Sequence, residues 1–192
     1  EGTDFHRFTV ASGVCSPSRT AVMTGHFPAR YKIDGHFAWV PSNAKRGMPD
    51  WLDTKAPTLP RILQGAGYAT AHYGKWHLAN DMIPDSPTPA KYGYDEYGAF
   101  NCSGEQIPVH EDAMYTTAFI EKSVAAKKPF FINLWVHEPH TPFHTVPKYE
   151  WRFREMENRP DAIYASVLSH ADDRIGEVLD TLDRLGIADN TL

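Results

Sequence analysis

Positive charge is in short supply in this chain. Its 19 Lys and Arg stand against 24 Asp and Glu, a net charge of −5. No basic stripe is visible, which argues against a general nucleic-acid binder. A site for an anionic substrate must then be locally positive within an acidic chain. Long apolar runs are also missing: none nears the roughly 20 residues that span a membrane. The opening Glu1-Gly-Thr-Asp-Phe-His-Arg7 is polar and has no apolar core, so no signal peptide is expected in it. Cysteine is scarce, with only Cys15 and Cys102. One disulfide is possible, and the count says little about redox compartment. There is no internal repeat and no low-complexity tract. What remains is 192 residues, 42% hydrophobic and 12% aromatic, enough for one domain with a sizeable core.

The pattern along the chain alternates strands and helices. Phe5 to Val10 reads as a short strand leading into a turn at Cys15. Ser16 is a good N-cap and Pro17 suits a first helical position, with Gly25 placed to end the helix. Residues 26–58 hold a long loop without sustained period, and His36-Phe-Ala-Trp39 within it reads as cover for a core edge. Thr58 to Gly67 is a helix signature, with Leu59, Ile62 and Leu63 on one face. Tyr68 to Tyr73 reads as a strand. Asp112 to about Lys122 reads as a helix, with Met114, Tyr115, Ala118 and Phe119 together. Pro129 to Val136 is a near-continuous apolar run, the mark of a strand buried on both faces of a parallel sheet. Asp161 to Leu185 is the clearest helix, with Ile163, Val167, Ala171, Ile175, Val178, Leu182 and Leu185 in period. This predicts an α/β layered fold. Ligands in such folds bind beyond the carboxyl ends of the strands. Three polar clusters fall there: after Val10, after Tyr73 and after Val136.

Each cluster has its own chemistry. Cys15 sits at a helix N-terminus, where free N–H groups and the dipole favour an anion, and Arg19 lies one turn on. Lys75 is a point charge suited to an anionic oxygen, and His77 can move a proton near neutral pH. His137, His140 and His144 crowd one loop, a grouping that also admits a zinc site.

Cys15-Ser-Pro-Ser-Arg19, followed by a small and apolar run to Thr24-Gly25, resembles the signature of type I sulfatases. Gly74-Lys-Trp-His77 resembles the second signature of that family, with Ala79 where the family often has Gly. The strand ending in His137-Glu-Pro-His140 is similar as well. The resemblance covers Phe8 to Leu192. It implies an alkaline phosphatase-like fold, with a mostly parallel central sheet flanked by helices and incomplete at both ends. It implies hydrolysis of sulfate esters by a Cα-formylglycine made from Cys15. In that scheme Lys75 binds sulfate, His77 contacts the nucleophile, and Arg19 stabilises its charge. His140 assists the leaving group, and His137 supports from behind, with His144 peripheral.

The resemblance also implies a divalent cation, Ca2+ or else Mg2+, ligated by residue 15 as formylglycine together with four acidic or amide residues. Neither of the family's ligand pairs is convincingly present. Asp172-Asp173 falls inside the long helix, and Asp189-Asn190 belongs to a lead-in segment. The expectation is that residues 1–192 are one partial catalytic domain, inactive and poorly stable alone. Implied partners are a sulfated small molecule or sulfated carbohydrate and a formylglycine-generating maturation enzyme, with no nucleic acid and no membrane span. Specificity is expected from loops 26–58 and 81–109. The resemblance leaves the compartment as periplasmic, secreted or lysosomal. Alternatives are a phosphoester or phosphonate hydrolase of the same superfamily, a thiol-dependent hydrolase using Cys15, and a noncatalytic binding module.

Overall fold

A parallel sheet of three strands carries the molecule: β1 (Ala69–Lys75), β2 (Glu96–Phe100) and β3 (Phe130–Trp135), in the order β2-β1-β3. The computed structural model describes residues 4–102, 104 and 106–192. Residues 1–3 of the polar opening, and 103 and 105 of the 81–109 loop, lie outside the described residues. β1 pairs Ala71 with Glu96 on one side and Ala69 with Phe130 on the other. Both pairings bring strand C-termini to one end: Lys75 lies opposite Phe100, and Gly74 opposite Trp135. That shared end positions the site.

The two faces of the sheet are filled differently. On one face Trp76, Tyr92, Tyr94, Phe37, Ile33, Leu52 and Leu78 form the larger core. On the other, Ala71 and Tyr73 meet Ile107 and Phe119. Phe119 belongs to α4 (Asp112–Ala125), which packs on β1 and β3 and is itself covered by α6 (Arg159–Arg184). Side-chain alternation along β1 sends Ala71 and Tyr73 one way and His72 the other, against Trp76, Tyr94 and Trp135. Gly74 has φ +97, and a Cβ there would lie 2.1 Å from the Trp135 carbonyl oxygen. Only glycine allows β1 and β3 to approach this closely.

Several expectations are corrected. Phe5 to Val10 forms no strand; it has no ladder partner among the described residues, and Phe8 is 74% exposed. Helix α1 (Cys15–Thr24) begins two residues earlier than its sequence suggests, with Val14 as N-cap. Ser16 is thus inside the helix, and its hydroxyl accepts from Phe37 N–H at 3.1 Å instead of capping. Gly25 ends the helix in the left-handed region, as expected. The strand buried on both faces is β1; β3, at the sheet's edge, is only half-buried.

The helix faces shift too. In α3 (Leu59–Gly65) Leu59 and Ile62 point outward while Pro60 is buried. In α4 Met114 and Ala118 are exposed, and the inward stripe mixes Phe119 and Ile120 with Thr116 and Ser123. In α6 Val167 and Ala171 are buried but Ile175 is 42% exposed, and the stripe passes through Ser166, Arg174 and Thr181. Polar residues enter these stripes because they find internal partners: Thr116 Oγ1 donates to Asp112 O at 2.7 Å, and Arg174 ion-pairs with Asp112 and Glu138. No helix of the described residues is long and apolar enough to cross a membrane.

Candidate active site

A cleft of about 590 Å³ opens at the carboxyl end of the sheet. Cys15, Lys75, His77, His137 and His140 all line it, from α1, the end of β1 and the loop after β3. Two of the three clusters follow strands, as the pattern predicts. The first follows an irregular stretch instead, held by Ser18: its hydroxyl donates to Ser12 O at 2.5 Å and accepts from Ser12 N–H at 3.0 Å.

Cys15 is the first residue of α1, half-buried, and its thiol is free. Cys102 is buried and also free, with its thiol pushed up to about 12 by burial. The disulfide alternative is therefore set aside. Arg19 is not among the cleft-lining side chains. Its Nη1 donates to Lys75 O at 2.7 Å, and its guanidinium lies 4.3 Å over the Trp135 ring. Burial lowers it to about 10, partly offset by Cys15, so it keeps its charge at neutral pH. Arg19 thus ties α1 to the ends of β1 and β3.

Lys75 is only 4% exposed, and burial pulls its ammonium below the usual range, while neighbouring Cys15 acts the other way. Among the described residues no hydrogen bond or ion pair holds its Nζ. A buried cation without a counter-charge, facing a cleft, is the electrostatic half of an anion site.

The histidines are prepared differently. His77 Nε2 lies 2.9 Å from Phe37 O, so Nε2 carries the proton and Nδ1 is left a buried acceptor. Burial lowers His77 to about 4, so the ring is neutral and able to take a proton. His140 is exposed, with Nδ1 at 2.5 Å from Thr141 O, which leaves Nε2 bare. His137 is buried, with Nε2 3.0 Å from Pro142 O, and burial lowers its basicity. The His137 ring stands 5.7 Å from that of His140 and 5.2 Å from that of His144. Their donor atoms do not gather into a metal cluster among the described residues.

His144, read as peripheral, lines the cleft with the others, and His36 and Asn101 are lining residues that sequence reasoning did not assign to the site. His36 stands 6.2 Å from the His77 ring and is lowered first by burial, then by Arg46, His77 and Lys75. Its neighbour Phe37 is indeed core, so half of the expectation for that run holds. Asn101 adopts φ +57, a conformation for which asparagine is favoured, but that signal needs the backbone to be seen.

The sulfatase family model matches residues 1–192. N-acetylgalactosamine-6-sulfatase of Sus scrofa is 29% identical over 231 residues, covering 100% of this chain and 42% of that protein. The chain thus spans less than half the length of the curated relatives it matches. Among solved structures, Ps i-CgsB in complex with k-i-k-neocarrahexaose aligns with TM-score 0.74 and 24% identity, over 92% of this chain and 46% of that one. BT4656 in complex with its substrate D-glucosamine-2-N,6-O-disulfate aligns with TM-score 0.60 and 16% identity, over 95% of this chain and 55% of that one. At these identities the structural likeness speaks for the fold, an alkaline phosphatase-like α/β architecture.

Proposed function

The chain belongs to the sulfatase family, and from that premise we propose that the full protein hydrolyses sulfate esters in the cleft at Cys15. The observation that carries the reading is Lys75: a residue only 4% exposed, with no protein counter-charge on its ammonium, lining the same cleft as the helix N-terminus at Cys15. In the same reading residues 1–192 are one part of a catalytic domain, and the substrate is a sulfated carbohydrate or another sulfated small molecule. The family generally uses formylglycine and a divalent cation.

Cys15 fits formylglycine by placement. It is the first residue of a helix, it opens to the cleft, and Arg19 and Lys75 supply positive potential beside it. A hydrated formylglycine supplies an oxygen nucleophile for sulfur and a second hydroxyl for release of sulfate. This modification requires a maturation enzyme as partner. The described residues do not by themselves fit the cation, Ca2+ in this proposal with Mg2+ as the alternative. No Asp or Glu lines the cleft, and Lys75 puts a positive charge there. No step is therefore derived through it.

The chain's own groups have clear parts. Lys75 neutralises the oxygens of the sulfate group, in a site where low dielectric makes that attraction strong. His77 accepts a proton at Nδ1, its tautomer set by Phe37 O. His140 offers Nε2 on the exposed side, where the alcohol departs, with its other nitrogen fixed on Thr141 O. Arg19 acts through position, holding Cys15's helix to the strand ends.

The test is turnover by the full-length protein on an aryl sulfate and the matching aryl phosphate, with mass spectrometry of the tryptic peptide from Phe8 to Arg19. The expected result is preference for sulfate, loss of the Cys15 sulfur, and no turnover by Cys15→Ala. A preference for phosphate would move the protein to the phosphoester branch. An intact active thiol would favour thiolate chemistry, and unchanged turnover in Cys15→Ala would end the reading.

A further inference from the structure

We propose that this protein carries a second metal site, outside the cleft, in which His110, Glu138 and His170 bind a transition-metal dication such as Zn2+. One donor atom from each of the three lies within 4.8 Å of the others. The residues come from different elements: His110 from the turn before α4, Glu138 from the loop after β3, His170 from the middle of α6. Ligands of tetrahedral zinc sit about 3.3 Å from one another, given metal–ligand bonds near 2.0–2.2 Å. His110 Nδ1 and Glu138 Oε1 are already 2.9 Å apart. They face each other as a buried ion pair, and neither has any other hydrogen-bond partner. His170 Nδ1 is also buried and unpartnered. A cation held among these three side chains would draw on buried polar atoms that the protein itself does not fully satisfy.

The surroundings hold these ligands as a metal site requires. Glu138 is 8% exposed, and its second oxygen accepts from Arg174 Nη2 at 2.6 Å, which turns Oε1 towards the histidines. Arg174 Nη1 pairs in turn with Asp112. The His170 ring packs 4.8 Å from that of Tyr149 and 4.4 Å from that of His110. Such outer partners fix ligand orientation. With neutral histidines, two carboxylates against one guanidinium leave one net negative charge, which suits a dication. Two imidazoles and one carboxylate select zinc over calcium or magnesium. Water completes the fourth position, or the ring of His144, 6.0 Å from that of His110. The metal would pin the loop carrying His140 to α6. Binding does not depend on sulfate chemistry, so either proposal can fail alone.

The experiment strips the full-length protein with a chelator, restores Ca2+, and titrates Zn2+ calorimetrically, with Co2+ as the visible-absorbing probe. The expected result is one equivalent of Zn2+ bound and a raised melting temperature. His170→Gln and His110→Asn should each weaken binding on the order of tenfold or more, and the Co2+ band should be lost. Asparagine suits position 110, where φ is +83, so that variant keeps the fold if the helix variant does not. His140→Ala should bind Zn2+ unchanged. Absence of Zn2+ uptake would overturn the site. So would uptake that survives both substitutions or disappears in His140→Ala, since it would then belong to the cleft.

Discussion

Lys75 gains its standing from what surrounds it more than from its charge. Desolvation weakens a lone ammonium, and an incoming anion restores the balance. Lys75→Met keeps the length and removes the charge. It should lower kcat/KM on an aryl sulfate by about 10²–10³, the usual effect of deleting one preorganised donor. Steady-state kinetics on the full-length protein checks this. A loss below tenfold would place the anion elsewhere. The residue scale was also the most legible in the sequence. Cys15, Lys75, His77, His137 and His140 stand in short motifs whose chemistry dictates residue type, and the structure brings them to one cleft. Arg19 shows the limit: its spacing from Cys15 says it is near, but only the fold shows its guanidinium spent on Lys75 O and Trp135. His36 carries no local signal, because its place in the cleft depends on a loop that folds back from another part of the chain, whereas His144 stood in the histidine cluster and only its peripheral role was misjudged.

Elements reveal a different constraint, the close passage of β1 and β3. Gly74 combines φ +97 with a carbonyl where a Cβ would go. Gly74→Ala should cost at least the 1–3 kcal/mol of a strained backbone, with displacement of β3 added. Thermal unfolding would show it, and an unchanged melting temperature would mean that the strands can part freely. The buried Arg174 makes the complementary case. Arg174→Met leaves Asp112 and Glu138 facing each other without a cation, and should cost about 3–5 kcal/mol. Periodicity located α6 to within two residues at its start and one at its end, because a long amphipathic pattern is robust. It misplaced the buried face, because a buried arginine reads as polar. Phe5 to Val10 failed for the opposite reason: a short segment makes a strand only where a neighbour supplies a ladder.

At the scale of the whole molecule, burial of neutral histidines makes folding depend on pH. His72 is wholly enclosed by Trp76, Tyr94 and Trp135, and Asn133 Nδ2 lies 3.0 Å from its Nδ1. Burial lowers it to about 3, with Arg19 as the next cause, and lowers His77 to about 4. Unfolded, both would titrate near 6.5. Between about 6.5 and these lowered values the unfolded chain binds more protons than the folded one. Stability therefore rises with pH across that window and is lost as pH falls through it. About a unit above 6.5 both histidines are neutral in either state, and their pH dependence vanishes. Denaturant unfolding of the full-length protein, followed from pH 7 to pH 4, should show this decline. His72→Gln keeps a polar acceptor for Asn133 without a proton to bind, and should flatten the slope while lowering stability at pH 7. A slope unchanged by that substitution would mean the acid sensitivity arises from other groups, and that the sheet's interior tolerates a charge.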